Sequence, residues 1–180
     1  MLRKSSALVR VVQTLLLSTD SLFYCLQAGC LKAAIQLGGG SVSVTRLVLD
    51  ALQGDRRELE RLSHTKQLRI LTLDPAESKV CTQLWIEGWP PDIASLIPLA
   101  SAEEGILVYA GAAMDALEWN PALPKMSCTE MLFHMVVKRI ISLNEADHFL
   151  LRMREMGLDS PVSAIDFPTL QQWQRRDLHL

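Results

Sequence analysis

The chain has 180 residues, an apolar fraction of 49%, a charged fraction of 21% and a formal net charge of −2. That length lets roughly 70% of the unfolded surface be buried without a disulfide or structural metal, and the apolar share excludes a largely disordered chain. The slight acidic balance excludes a protein that is basic over its whole surface, so any nucleic-acid contact has to be local.

Aromatic residues make up only 6% while Leu and Ala are abundant, a composition that favours helix over sheet. The expected fold class is therefore mainly α: a compact multi-helix domain of about seven to eight helices, with room for one short strand pair. At the N-terminus, Met1-Leu2-Arg3-Lys4 followed by the apolar Ala7 to Leu17 imitates a signal peptide, and Leu26-Gln27-Ala28-Gly29-Cys30 imitates a lipoprotein box. Arg10 and Gln13 interrupt the apolar run, Asp20 separates it from the cysteine, and Gln27 stands where an aliphatic residue is required. A cytoplasmic protein without a membrane span is the expectation.

Val9, Val12 and Leu16, then Leu22, Leu26, Ala33, Ala34 and Leu37 recur near helical spacing, with Asp20 as a cap and Gly38-Gly39-Gly40 as the stop. Ser41 or Ser43 is read as the cap of a helix through Val44, Leu47, Val48, Ala51 and Leu52. Asp55 then opens a short helix carrying Leu59 and Leu62. Leu68, Ile70, Leu71 and Leu73 read as a short extended segment. Asp74-Pro75-Ala76-Glu77 has an acceptor at the cap, proline at the first helical position and glutamate three after the cap, which starts a helix burying Ala76, Val80, Leu84 and Trp85 and ending at Gly88.

Beyond Trp89-Pro90-Pro91-Asp92, a helix through Ile93, Leu96 and Ile97 is expected to break at Pro98. Ser101-Ala102-Glu103-Glu104 then caps another, with Ile106, Leu107, Ala110, Met114 and Leu117 inward. Ser127-Cys128-Thr129-Glu130 is a further capping box leading into Met131, Leu132, Met135, Val136 and Ile140. Asn144 caps a helix that stops at Gly157, and Asp166 begins a last one with Leu170 and Trp173. The domain organisation that follows is a helical region over 1–118 containing a hairpin, a linker at 119–126, and a C-terminal helical region over 127–180 packing on the first.

No catalytic motif stands out. There is no GxSxG, HExxH, phosphate loop or GxGxxG, and His64, His134, His148 and His179 sit in no recognisable pattern. The triple glycine lacks a nearby lysine for phosphate. Cys25, Cys30, Cys81 and Cys128 lack the close-spaced pairs that zinc sites use and read as buried free thiols. The expectation is no enzyme, no catalytic residue, no cofactor, no metal and no small-molecule substrate.

The basic residues do cluster. Arg56, Arg57, Arg61, Lys66 and Arg69 lie close together, interleaved with Asp55, Glu58 and Glu60, and they are the candidate nucleic-acid contacts. The expected pair of helices around Pro98-Leu99-Ala100-Ser101 has helix-turn-helix dimensions. Its second helix would offer Glu103-Glu104 to phosphates, which favours packing over reading DNA.

The order of features from Ser21 to Cys81 resembles the FlhD subunit of the flagellar master regulator: Leu26-Gln27-Ala28-Gly29-Cys30-Leu31 and Ile35-Gln36-Leu37-Gly38, then an apolar helix, the stretch Leu59-Glu60-Arg61-Leu62-Ser63-His64-Thr65-Lys66-Gln67-Leu68 and the alternating segment Arg69 to Asp74. They are also similar to a family of uncharacterised proteins of integrative conjugative elements and pathogenicity islands, to which Gly88 through Gly111 and Met156 through Trp173 add further likeness. The resemblance covers about half of the chain. That family's hairpin tends to be followed by arginines, where this chain has Val108-Tyr109-Ala110-Gly111. What the resemblance implies is a helical bacterial subunit that forms a homodimer, or a hetero-oligomer with a DNA-binding partner, in a transcription-activating complex. The alternative is a helical adaptor or chaperone-like protein of a secretion or conjugation system, for which Met126, Met131, Met135, Met153 and Met156 would supply adaptable surface.

Overall fold

In the computed structural model, residues 14–52, 56–102, 105–110 and 123–158 are described. Where the sequence predicts helix throughout, Leu15–Leu17 form strand β1, all three side chains at most 2% exposed. Three consecutive buried leucines are what a parallel strand covered on both faces requires, and such a run carries no alternation to betray it. Ser18 then caps α1 (Thr19–Ala28), and α2 (Leu31–Leu37) follows. Strand β2 is Val42–Thr45, and α3 (Arg46–Ala51) follows it directly. Helix α4 (Arg56–His64) leads to β3 (Leu68–Leu71).

Two helices form the next crossover, α5 (Pro75–Ile86) and α6 (Pro91–Ala102), and they return the chain to β4 (Ile106–Tyr109). Strand β5 (Lys125–Ser127), α7 (Cys128–Val137) and α8 (Leu143–Glu155) complete the described chain.

The strands build one five-stranded sheet in the order β3-β2-β1-β4-β5, with every pair parallel. In register, Leu16 lies beside Ser43 on one side and Leu107 on the other. Helices α1, α2, α7 and α8 pack against one another as one layer. Helix α6 contacts β2 and β4, with α5 outboard of it. This is a doubly wound α/β fold, and the expectation of a mainly α domain with at most one strand pair is overturned.

The error has a local cause. Helix caps dominate the sequence signal while the strands are three or four residues long, too short to show a period.

Particular elements shift accordingly. The helix expected from Ser41 or Ser43 begins only after β2, and the one expected from Ser101 is replaced over Ile106–Tyr109 by β4, which removes the helix-turn-helix pair. Pro98 does not end α6: the helix continues around it to Ala102, with Pro98 buried. The last capping box uses Ser142 instead of Asn144. The capping boxes at Asp74 and Ser127 form as the sequence predicts, and the segment Leu68–Leu71 is extended.

Within the expected linker, Lys125 and Met126 belong to β5, and residues 119–122 lie outside the described residues. So do Glu103, Glu104, the first thirteen residues and the expected final helix at Leu170 and Trp173.

Met126, Met131, Met135 and Met153 fill the core between the sheet and α7 and α8, and Met156 packs at its margin. Cys25, Cys30 and Cys128 are buried free thiols, and Cys81 is half-buried. No described helix is long and apolar enough to cross a membrane.

Candidate functional site

Strand order reverses between β1 and β4: from β1 the chain moves outward through β2 to β3, then crosses back to β4. In open α/β sheets a crevice forms at the carboxyl ends of the two strands flanking such a reversal, because the following helices depart in opposite directions. Here that point carries Ser18-Thr19-Asp20-Ser21 at the start of α1 and Asp92 in the first turn of α6.

The backbone N–H of Thr19 donates to Asp92 Oδ2 at 3.0 Å, across seventy-three positions of sequence. The Asp20 carboxyl is raised above the ordinary aspartate value, first by burial and then by the charge of Asp92. Both effects penalise the ionised acid. The Thr19 hydroxyl oxygen is buried there with no hydrogen-bond partner among the described residues.

Hydroxyls knit the surrounding joints. Ser18 Oγ accepts the Ser21 N–H at 3.3 Å, Ser21 Oγ lies 3.0 Å from the Val108 carbonyl, and the Ser18 N–H donates to that same carbonyl at 3.0 Å. These bonds tie the end of β1 to the end of β4. On the other side, Thr45 at the end of β2 meets Ser95 of α6, Oγ1 to Oγ, at 2.7 Å. Ser95 Oγ in turn donates to the Asp92 carbonyl at 2.6 Å. Among the described residues no three His, Cys, Asp or Glu side chains converge as a metal cluster would. The carboxyl edge of the sheet at this point therefore offers a pair of acids from two chain segments, set among hydroxyls.

The predicted nucleic-acid contacts fall elsewhere. Arg56 and Arg57 open α4, and Arg57 is exposed. Arg61 is held by Glu58 through Nε at 2.9 Å, and that contact lowers the Glu58 carboxyl. Lys66 sits exposed in the turn before β3 with φ +59°, and Arg69 is exposed on β3 itself.

Because all strands run parallel, the turn before β3 is at the amino edge of the sheet, opposite the carboxylate pair. A groove of about 240 Å³ between α3, α4 and β3 is lined by Leu49, Leu59 and Ile70, and of the basic candidates Arg57, Arg61, Lys66 and Arg69 lie outside its lining. The described histidines, His64, His134 and His148, are exposed on three different helices.

The sequence offers Asp20 as a helix cap and Asp92 as part of a turn, and nothing in it marks the two as a pair. An apolar run ending in Ser-Thr-Asp is also the signature of a strand handing over to a helix, which is the signal that could have found the first. Nothing local joins it to Asp92. The chain matches no family model, and no curated protein matches it.

Proposed function

We propose that this domain binds a divalent cation together with a phosphate-bearing ligand at the carboxyl edge of its sheet, with Asp20 and Asp92 as the protein ligands. The observation that carries the reading is the convergence of these two acids at the strand-order reversal, where Asp92 accepts the Thr19 amide and the exposed Asp20 carboxyl is raised by partial desolvation and by Asp92.

Two carboxylates suit Mg²⁺, which keeps several waters and is commonly held by one or two acids plus phosphate oxygens of the ligand. A bound cation would polarise a phosphoryl oxygen and supply an activated water, so the class of chemistry is phosphoryl-ester hydrolysis or transfer. A nucleic-acid strand is the phosphate ligand that agrees with the DNA-associated setting inferred from the sequence. This reading departs from the non-enzymatic expectation because the acids come together only in the folded sheet.

Calorimetric titration of the purified protein with Mn²⁺ tests it. One site is expected, lost in Asp20→Asn and in Asp92→Asn while both variants keep the wild-type circular dichroism. Absence of binding to the folded wild type would remove the proposal. Incubation with labelled single- and double-stranded oligonucleotides, with Mg²⁺ or with chelator, then reports whether the ligand is a nucleic acid.

The second reading is a regulatory subunit acting by protein association, as the sequence resemblance implies. It is favoured by the adjacent Trp85 and Ile86 at the end of α5, exposed at 62% and 76%. Light scattering of the wild type and of a Trp85→Ser/Ile86→Lys variant, alone and with candidate partners, separates this reading from the first. Dissociation of an assembly by the double variant would support association, and a monomer that captures no partner would remove it. The helical-adaptor alternative loses its motive, since four of its five methionines are core residues.

A further inference from the structure

We infer that Thr45 and Ser95 are positioning residues for Asp92: a buried hydroxyl relay from the end of β2 fixes the first turn of α6. The inference rests on the carboxylate reading above and assigns a role to residues that carry no charge and supply no carboxylate.

The order of donors follows from counting protons. Ser95 Oγ has one proton, and its 2.6 Å contact with the Asp92 carbonyl uses it, because a carbonyl can only accept. The 2.7 Å contact with Thr45 must then be a bond donated by Thr45 Oγ1. The chain of bonds therefore runs from Thr45 to Ser95 to the Asp92 backbone.

Both hydroxyl residues are buried, Thr45 at 3% exposure and Ser95 at 0%. In such surroundings an unmade bond leaves a polar group stranded, so the relay favours a single geometry. The Asp92 carboxylate then meets the first amide of α1 at 3.0 Å. Three segments distant in sequence, the end of β2, the start of α6 and the β1–α1 joint, are locked around one carboxylate. Ligand-holding acids are commonly oriented by such outer partners, whose loss typically costs about 10–100-fold in metal affinity.

The test uses Thr45→Val, which keeps the shape and removes the donor, Thr45→Ser as the conservative rescue, and Ser95→Ala. Amide hydrogen exchange followed by NMR reads the position of Asp92 without any cation. In Thr45→Val and Ser95→Ala the Thr19 amide is expected to exchange about tenfold faster, while the amides of Leu22 and Ala94, bonded within their own helices, stay at wild-type rates. Thr45→Ser restores the Thr19 rate. In parallel, Mn²⁺ affinity falls about tenfold in Thr45→Val and recovers in Thr45→Ser.

An unchanged Thr19 amide, or equal acceleration of Thr19, Leu22 and Ala94, would overturn the inference, the latter because it marks general loosening of the fold. Wild type that binds no Mn²⁺ sinks the carboxylate reading and the role given to the relay with it. Wild type that binds, with Thr45→Val binding equally well, sinks the relay alone.

Discussion

Ser142 shows how much of this chain is decided within single turns. Its backbone N–H donates to Glu145 Oε2 at 2.7 Å, while its hydroxyl accepts from the Glu145 N–H at 3.2 Å. The reciprocal bonds satisfy donors that a helix start leaves open, and they lower the Glu145 carboxyl. A lowered acid contributes stability above its ordinary range and loses it as pH falls through the lowered value. Glu145→Gln should therefore lower the melting temperature at neutral pH, and the gap to wild type should close in acid. Ser127→Ala, at the equivalent cap of α7, should cost about 1 kcal/mol in denaturant unfolding.

Asp20 has the opposite sign. Its neutral form is favoured on folding, so stability falls as pH rises from the ordinary aspartate value through the raised one. Asp20→Asn should melt higher than wild type at neutral pH in the absence of cations and match it in acid.

Helices α5 and α6 carry the contrast between elements. Helix α6 sits on the sheet and buries Ile93, Ala94, Ser95, Leu96, Pro98, Leu99 and Ala100, whereas α5 buries nothing fully. Only Glu77, Cys81 and Leu84 of α5 are half-buried, at the 4 and 3 spacing of a seam facing one helix. Val80, Trp85 and Ile86 do not form a second stripe. At about 100° per residue, Trp85 stands about 140° and Ile86 about 120° around the axis from Val80, in opposite senses.

Leu96→Ala should thus cost about 2–5 kcal/mol, while Trp85→Ser should stay within about 0.5 kcal/mol, both measured by urea unfolding. A large loss at Trp85 would mean that α5 is covered by something other than solvent.

At the scale of the molecule, the sheet joins chain segments that a sequence division would part. Strand β5 pairs with β4, and β4 with β1, so the last described strand completes a sheet begun near residue 15. Helices α7 and α8 cover α1 and α2. A fragment ending at residue 118 would leave β4 as an open edge and strip the layer over α1, and open edges invite association. Such a fragment is expected to aggregate or remain unfolded by circular dichroism and gel filtration. A soluble, cooperatively melting fragment would show instead that the first region holds its own core.

What the chain's sequence determined by itself was local. Helix starts at Asp74 and Ser127, the stop at the triple glycine and the thiols in the core were all legible, because caps, glycine and apolar thiols act through neighbours within a turn or through hydrophobicity alone. Gly38 illustrates this: a Cβ there would lie 2.4 Å from the Ser41 carbonyl. The tertiary structure alone decided the fold class and the meeting of Asp20 with Asp92. Leu15-Leu16-Leu17 becomes a strand because β2 and β4 pair with it on either side and helices cover both faces, and none of these neighbours is adjacent in the chain. Asp20 and Asp92 meet for the same reason, since it is the crossover from β3 to β4 that returns α6 to the end of β1.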